Sequence, residues 1–331
     1  PQFEFGDTSY IGMAYDSSAQ KVVIAFTDDD NSNYGKVVVA TVSGTSISYG
    51  TAVVFESAST RYSSPVYDAN TGKIVIAYQD LGNSNCGTAI VGTVSGTSIS
   101  FGSSVVFNSD SVDNIAAVYD PDAQKVVIAG RDNYNSSRGI AYVGTVSGTS
   151  ISFGSLTIFE SASSSEYRLV YDTNAKKVVI SYRVASYGLG KVVAGTVSGT
   201  SISFGSVIAL HDSRIANVSN AYDSNEQRVV TAFEDQGNGS YTAPGTAVVF
   251  KTGFVSTNLT SENFIGFSDA AYANTQTATI EVGSAINNGQ SSLTIGQQYF
   301  VQTNGTIGTT AADPSVIAGT AISATEIIVK G

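Results

Sequence analysis

Several residue types that carry chemistry are rare in this chain, which has no tryptophan, one cysteine, one methionine and one histidine. A lone cysteine, Cys86, can neither form an internal disulfide nor supply a cysteine-based metal site. A Ser-His-Asp triad would need the single histidine, His211, whose sequence neighbour Asp212 does not make a triad by itself. We therefore expect His211 to be a surface-loop residue and expect no catalytic role for Cys86.

Charged side chains are also scarce, at 13% of the chain, and acidic ones prevail, which gives a formal net charge of −11. Nucleic acid would be repelled by this charge, and no cluster of Lys and Arg offers a local exception. The longest apolar runs, such as residues 21–26, are far shorter than the ~20 residues that cross a bilayer. We expect no nucleic-acid partner and no membrane span. Because the chain begins at Pro1 without a leader pattern, we also expect a processed or excised start.

Short Val/Ile runs alternate with segments rich in Ser, Thr, Gly and Asn, which is typical of an all-β protein with many turns. The dipeptide Tyr-Asp recurs at intervals of 52, 52, 52 and 51 residues, beginning at Tyr15. Each recurrence is followed by a basic residue with a run such as VVIAF, and then by a second β run. In four repeats the decapeptide TVSGTSISYG or TVSGTSISFG comes next. A period of about 50 residues with four short strands, A to D, predicts the blades of a β-propeller.

The repeats predict a five-bladed β-propeller over residues 1–253, made of four-stranded blades. A β-helix is the alternative, but its repeats are usually shorter. From about residue 254 the period is lost, and residues 254–331 are predicted to form a small β domain for attachment or oligomerisation.

The two ends of the repeat region predict how the ring closes. The spacing from Phe3 to Tyr15 equals that from Phe55 to Tyr67, so the N-terminal segment aligns with the end of a strand D. The fifth repeat lacks the decapeptide after its strand C, near residues 245–250. We expect the N-terminal segment to pair with that strand, because this pairing would cover an otherwise open edge.

The connections between strands differ in how much they vary. The A–B and C–D turns hardly change among repeats, whereas the B–C and D–A connections change everywhere. Variable loops on a rigid scaffold usually carry recognition, so we predict a binding face formed by the B–C and D–A loops. Tyrosine and arginine suit stacking on sugars and hydrogen bonding to hydroxyls or carboxylates. The predicted glycan-contact residues are Tyr34, Arg61, Tyr62, Arg131, Tyr134, Arg138, Tyr167, Arg168, Tyr187 and Arg214.

Acidic residues raise two further possibilities. The Asp of each Tyr-Asp pair could be compared with glycosidase carboxylates, but five equivalent positions give no distinct acid and base. We predict instead that these residues cap turns. Asp28 and Asp30, in the first B–C loop, are the candidates for a Ca²⁺ site, although no complete calcium-loop pattern is present. We predict no cofactor.

The repeat motifs, together with the segment from Gly296 to Gly331 that begins GQQYFVQ and ends IIVKG, resemble tail-fibre and virion surface proteins of marine tailed phages. The resemblance covers most of the chain. It implies an exposed virion or extracellular protein whose partners are a host-surface glycan or protein and other fibre subunits. It supplies no catalytic residue.

We therefore expect a non-enzymatic host-attachment or glycan-binding module that forms a homo-oligomer through its C-terminal domain. A purely structural virion or filament protein is the alternative. A secreted bacterial lectin or a glycoside hydrolase is a further alternative that rests on fold analogy. Two or three non-equivalent carboxylates in the central channel would favour a hydrolase, but inner-strand segments such as GMAYD offer mainly small apolar groups.

Overall fold

The computed structural model describes residues 2–185, 188–237, 243–250, 267–268, 280–302, 307–311 and 316–330. The chain divides into two compact domains, Pro1–Gly253 and Phe254–Gly331. In these described segments we find no helix whose length and hydropathy would allow it to span a membrane.

The N-terminal domain is built from antiparallel strands, as the all-β prediction required. Its strands are β1 (Thr8–Asp16), β2 (Lys21–Asp28), β3 (Tyr34–Ser43), β4 (Ser46–Tyr49), β5 (Val53–Asp68), β6 (Lys73–Asp80), β7 (Cys86–Ser95), β8 (Ser98–Phe101), β9 (Val105–Asp120), β10 (Lys125–Asp132), β11 (Arg138–Ser147), β12 (Ser150–Phe153), β13 (Thr157–Asp172), β14 (Lys177–Val184), β15 (Leu189–Ser198), β16 (Ser201–Phe204), β17 (Ile208–Asp223), β18 (Arg228–Asp235) and β19 (Gly245–Phe250).

Each sequence repeat folds into its own antiparallel sheet. In the first repeat β1 pairs with β2 from Asp16↔Lys21 onwards, and β2 pairs with β3. The same order of inner, middle and third strand recurs in β5–β6–β7, β9–β10–β11, β13–β14–β15 and β17–β18–β19. The inner strands of consecutive repeats contact each other from β1 through β17, so the sheets follow one another in chain order.

The fourth strand differs from its prediction in two ways. The predicted strand D is interrupted at residues 50–52, which separate β4 from β5. Strand β3 therefore pairs with β4 and also with the start of β5. Strand β5 then continues directly into the second sheet, where its other half pairs with β6. The D–A connections are therefore not loops but the middle of 16-residue strands, β5, β9, β13 and β17.

Backbone pairing explains why these segments stay extended. At the first crossing the N–H of Thr60 donates to the carbonyl of Asn33, and the N–H of Leu81 donates to the carbonyl of Ser59, both at 2.9 Å. The crossing segment thus finds partners in the B–C turns of both sheets that it joins. Backbone groups that a surface loop would leave to water are paired here, so an extended strand is favoured.

The turn predictions are confirmed. Asp16 Oδ1 accepts hydrogen bonds from the N–H groups of Ser18 (3.0 Å) and Ala19 (2.8 Å), and the Asp of every other Tyr-Asp pair caps its turn likewise. Between β3 and β4, Gly44 has a φ of 59°, at the first central position of a two-residue hairpin turn. A positive φ at that position favours glycine, which explains why Ser-Gly-Thr is repeated unchanged.

The core lies between consecutive sheets. Val37 and Val39 of the first sheet pack with Ile74, Ile76 and Tyr78 of the second, all of them at most 1% exposed. Middle strands are covered on both faces, which is why their sequences are nearly continuous apolar runs rather than alternating ones.

The N-terminal segment occupies the place that its alignment predicts, but its predicted pairing is not observed. Phe3 packs edge-on against Phe26 with ring centroids 5.2 Å apart, as Phe55 does against Tyr78. The segment thus lies on the first sheet. Among the described residues β19 pairs with β18, and no register joins it to the N-terminal segment. Val249 in β19 is 61% exposed.

The C-terminal domain contains β20 (Phe267–Ser268), β21 (Ile280–Glu281), β22 (Ile286–Asn287), β23 (Gln298–Val301), β24 (Ile307–Gly308), β25 (Ile317–Ala321) and β26 (Ile327–Val329). The last five form a sheet in the order β22-β26-β25-β23-β24. Its core includes Leu293, Tyr299 and Ile327. The Tyr299 hydroxyl is not left unpaired, since it accepts a hydrogen bond of 2.9 Å from the N–H of Thr294.

Candidate functional site

All five inner strands carry a β-bulge near the end that faces the B–C turns. In β1 the register shifts between Ser9 and Gly12, and in β5 it shifts between Arg61 and Ser64. One residue within each bulge has a positive φ. These residues are Tyr10 (48°), Tyr62 (55°), Asn114 (52°), Glu166 (59°) and Asn217 (55°).

This backbone conformation is unusual for most of the residue types that adopt it. Asn tolerates the left-handed region, because its short side chain can hydrogen-bond locally. Tyr10, Tyr62 and Glu166 have no such advantage, and each stores conformational strain of about 1–3 kcal/mol. Strain of this kind persists where the surrounding structure imposes it and is concentrated at functional sites. The bulge level of the inner strands is therefore the first place to look for a site.

A cavity of about 410 Å³ opens at this level, lined by residues 10–13, 62–65 and 115–117 and by Arg168. The inner strands of four consecutive repeats therefore line this cavity. Small-molecule sites usually have volumes of about 300–1,000 Å³. We call this space the axial cavity.

One side of the axial cavity is aromatic. The rings of Tyr10 and Tyr62 lie with their centroids 4.9 Å apart and their planes inclined by 59°. Tyr10 is 37% exposed, so the pair presents ring surface to the cavity. Burial, followed by the charge of Asp113, raises the pKa of the Tyr62 hydroxyl, which therefore stays neutral and able to donate a hydrogen bond at physiological pH.

Carboxylates surround the bulges of the later repeats. Asp113 accepts two hydrogen bonds from Arg131, at 2.7 Å from Nε and 2.6 Å from Nη2. This hydrogen bonding raises the pKa of Arg131 above its usual value. Two further carboxylates, those of Glu166 and Glu234, have different partners.

Glu166 Oε1 lies 3.2 Å from Nη1 of Arg183, and Glu234 Oε2 accepts a hydrogen bond of 2.6 Å from the amide of Asn217. The carboxylates of Asp113, Glu166 and Glu234 are thus not equivalent. Sequence reasoning missed them because it examined the Tyr-Asp end of the inner strands. For Glu166 a signal was present, the variation of one aligned position, Tyr, Tyr, Asn, Glu and Asn, within strands that are otherwise similar.

Of the predicted glycan-contact residues, Tyr62 and Arg168 line the axial cavity. Arg61 is exposed next to Tyr62 in the same bulge, and Arg131 is joined to the bulge level through Asp113. The structure therefore brings part of the predicted set together on the inner strands rather than on loops.

The remaining candidates lie elsewhere. Tyr34 is half-buried at the start of β3, Tyr134 is 79% exposed in a B–C turn, and Arg214 is exposed in β17. Tyr187 lies outside the described residues.

Two candidates are corrected by the structure. Tyr167 is fully buried, with its hydroxyl 2.8 Å from Ser164 Oγ, because its position in the inner strand is equivalent to that of the buried Ile115. Arg138 hydrogen-bonds through Nε to Asp132, at 3.0 Å, and pairs through Nη2 with the same carboxylate, which is almost fully buried. Tyr167 is thus a core residue. Arg138 forms a structural ion pair with Asp132 across the B–C turn of the third repeat.

The proposed Ca²⁺ ligands are used by the protein itself. Asp28 is 4% exposed and its Oδ2 lies 2.5 Å from Nζ of Lys36. Asp30 Oδ2 accepts a hydrogen bond of 2.9 Å from the N–H of Asp7. Within the described ranges no group of three or more His, Cys, Asp or Glu residues could hold a metal ion. The two carboxylates therefore serve the fold.

His211 lies in strand β17 and not in a surface loop, and the structure places it beside Ser213 and Asp235. Ser213 Oγ lies 2.8 Å from His211 Nδ1 and donates to Asp235 Oδ1 at 2.7 Å, while His211 Nε2 is 3.5 Å from Asp235 Oδ2. In a catalytic triad the carboxylate orients the histidine and the histidine takes the serine proton. Here the Ser213 hydroxyl donates its hydrogen bond to Asp235 and not to His211.

Repeat equivalence gives His211 a structural role. Its Nδ1 accepts the N–H of Ser213 two residues on, at 3.1 Å, as the side chains of Glu56, Asn108 and Glu160 do in their own repeats. Four residues at one aligned position therefore make the same local cap. The Ser213–His211–Asp235 cluster belongs to the scaffold.

No protein-family model and no curated protein matches the chain. Among solved structures, it is similar to a protein of unknown function from Dyadobacter fermentans DSM 18053, with a TM-score of 0.51, 12% identity and coverage of 74% of this chain and 79% of that one. It is also similar to an exo-β-1,3-galactanase from Phanerochaete chrysosporium, with a TM-score of 0.47, 9% identity and coverage of 93% and 68%.

A third similar structure is the Trypanosoma rangeli sialidase in complex with sialic acid, with a TM-score of 0.44, 13% identity and coverage of 74% of this chain and 45% of that one. At such identities a likeness concerns the fold alone.

These findings correct the expectation of a non-enzymatic protein. The similar solved structures include an exo-β-1,3-galactanase and a sialidase. The expectation also assumed inner strands with mainly small apolar groups. The structure instead places Asp113, Glu166 and Glu234 around the bulges.

Proposed function

We propose that the protein binds a carbohydrate in the axial cavity. The observation that carries the proposal is the pair of strained tyrosines, Tyr10 and Tyr62, which line a cavity of about 410 Å³. Aromatic faces stack on the apolar faces of sugar rings, and the hydroxyls of such a pair can hydrogen-bond at the same time. Neither tyrosine is needed for the bulge itself, since Asn114 and Asn217 form it in other repeats.

The repeats supply a matched pair of variants for the test. Tyr10→Asn and Tyr62→Asn introduce the residue that the third and fifth repeats already carry in the same conformation, so the bulge is expected to persist. A glycan array probed with the full chain should show binding by the wild type and loss of that binding in both variants. Tyr134→Ala, at a residue that is 79% exposed, is the control and should bind as the wild type does. Equal binding by all four proteins would overturn the proposal.

For the source of the glycan we propose a host surface. Similarity to phage tail-fibre and virion surface proteins supports a host-surface glycan as the ligand, with the protein on a virion or outside the cell. The same resemblance supports association with other fibre subunits and homo-oligomerisation through residues 254–331. Binding of the full chain to host cells, and its loss on competition by the array-positive sugar, tests this part.

We also propose that the five sheets close into a five-bladed ring. Every sheet from the first to the fourth covers the next with an equivalent apolar face. The fifth sheet has the same face in Ala247 and Val249. Burying this face against the first sheet would repeat a contact that the domain already makes four times.

Glycoside hydrolysis at the bulge level, beside the axial cavity, is the second candidate function. It is favoured by three carboxylates that have different partners. Asp113 accepts hydrogen bonds from Arg131, Glu166 contacts Arg183, and Glu234 accepts a hydrogen bond from the amide of Asn217. Distinct environments are what separate an acid from a base in glycosidases. Release of reducing sugar from an array-positive glycan, abolished in Glu166→Gln and in Glu234→Gln, would support this candidate. Intact glycan after long incubation with the wild type would exclude it.

A further inference from the structure

Arg168 is the one large residue at an inner-strand position that is small in the other four repeats. It stands two residues after the bulge residue of the fourth repeat, where the other repeats have Gly12, Ser64, Ala116 and Ser219. Four small residues at this position show that packing does not demand a long side chain here. Gly12, Ser64, Ala116 and Arg168 all line the axial cavity, so a guanidinium is brought to a wall that is otherwise made of small groups.

Three arginines near the inner strands are engaged by carboxylates. Arg131 pairs with Asp113, Arg138 with Asp132 and Arg183 with Glu166. Arg168 differs, because within the described residues its guanidinium donates a single hydrogen bond, from Nη1 to the carbonyl of Tyr167 at 2.9 Å. In the described part of the chain no carboxylate lies within ion-pair distance of Arg168, which leaves Nε and Nη2 available to a ligand.

We propose that Arg168 binds the carboxylate of an acidic sugar whose ring stacks on the Tyr10–Tyr62 pair. This inference rests on the proposed carbohydrate binding and names its ligand class. A guanidinium presents parallel N–H donors that match a planar carboxylate in a bidentate pair. The surrounding net charge of −11 repels an anionic ligand at long range, so an acidic sugar needs an unpaired cation inside its site.

The experiment uses isothermal titration calorimetry with the full chain and three probes: a hexuronic acid trisaccharide, its carboxyl-reduced neutral counterpart, and a sulfated form of that neutral trisaccharide. The wild type should bind the uronic acid at least about tenfold more tightly than the neutral sugar, as a charge-assisted bidentate pair predicts. The sulfated probe separates recognition of a planar carboxylate from attraction to any anion. If it binds as tightly as the uronic acid, the carboxylate assignment is overturned.

Two substitutions at the same position sharpen the result. Arg168→Gln should remove the preference for the uronic acid while neutral binding persists, and Arg168→Lys should restore only part of it, because an ammonium lacks the planar fork. Arg214→Gln, at an exposed arginine in β17, is the matched control and should keep the full preference. An undiminished preference in Arg168→Gln would overturn the inference.

Failure of this inference can be told apart from failure of the proposed function. Tyr62-dependent binding of neutral sugars alone would overturn the role of Arg168 and leave carbohydrate binding in place. Absence of binding to every probe and to the glycan array would overturn both.

Discussion

The hydroxyl of Tyr171 donates a hydrogen bond of 2.6 Å to Oδ2 of Asp122, which ties the fourth repeat to the A–B turn of the third. Burial, and then this hydrogen bond, raises the pKa of Tyr171 far above its usual value. The Tyr of the repeated Tyr-Asp dipeptide therefore links neighbouring sheets, while its Asp caps the local turn. The equivalent contacts are Tyr67–Ser18 (2.6 Å), Tyr119–Asn70 (3.1 Å) and Tyr222–Asn174 (3.2 Å).

Tyr171→Phe removes this tie and should lower the free energy of unfolding by about 1 kcal/mol, because the ring stays packed but Asp122 loses a donor. Chemical denaturation of wild type and variant measures the difference. Tyr134→Phe removes a hydroxyl from a ring that is 79% exposed and should leave stability unchanged. Equal stability of wild type and Tyr171→Phe would show that the tie contributes nothing.

Local patterns were sufficient to predict the middle strands and the A–B and C–D turns. The run VVIAF at residues 22–26 lies in a middle strand that is buried on both faces, and the Asp at Tyr-Asp has a short-range capping role. Both features depend on residues close in sequence. They also recur in every repeat, so one correct interpretation applied throughout the domain.

The site could not be predicted in the same way. Whether Tyr62 faces a cavity and Tyr167 the core depends on a bulge that shifts the side-chain alternation by one residue, and the sequence does not show this shift. The D–A segments read as loops because they are polar. They are strands because their partners lie in neighbouring repeats, as the Thr60–Asn33 hydrogen bond shows.

Glu160 should make stability depend on pH. Burial alone would raise its pKa, but hydrogen bonds from Lys191, the N–H of Ala162 and Tyr182, with the charge of Lys191, together lower it below the usual 4.5. A lowered pKa means that the folded state favours the carboxylate. This stabilisation is present above about pH 4.5 and is lost as the pH falls through the folded-state pKa.

The variant Glu160→Gln should therefore be less stable than the wild type near neutral pH, with a difference that shrinks as the pH falls towards about 3. Unfolding curves recorded across this range measure the effect. Lys191→Met, which removes the cation 2.8 Å from Glu160, should weaken the pH dependence as well. A difference between wild type and Glu160→Gln that stays constant with pH would contradict the assignment.

Substitutions of His211 distinguish a structural role of this residue from a catalytic one. Asn108 makes the same cap in the second repeat, accepting the N–H of Asp110 at 2.8 Å, so His211→Asn should keep most of the stability. His211→Ala should lose about 1 kcal/mol, the usual net contribution of one intramolecular hydrogen bond. Thermal unfolding compares the two. If the chain hydrolyses a glycan, both variants should retain that activity, and loss of hydrolysis in the stable His211→Asn variant would instead give His211 a catalytic role.

Ring closure can be tested by crosslinking at a register that the repeats define. In the first repeat Lys36 of β3 lies opposite Val54 of β5, and the equivalent positions at the proposed closure are Thr246 and Gln2. A Gln2→Cys/Thr246→Cys variant on a Cys86→Ala background should form an intrachain disulfide on mild oxidation, because directly opposite residues of antiparallel strands have Cα atoms about 4.5–5.5 Å apart, within the range that a disulfide spans.

Non-reducing electrophoresis and intact mass report the disulfide, and Lys36→Cys/Val54→Cys on the same background is the positive control. The oxidised closure variant should also resist denaturation more than its reduced form, because the crosslink joins the two ends of a long stretch of chain. A free dithiol under conditions that oxidise the control would contradict closure. Disulfide-linked dimers would contradict closure within one chain, because the fifth sheet would then be covering the first sheet of a neighbouring copy.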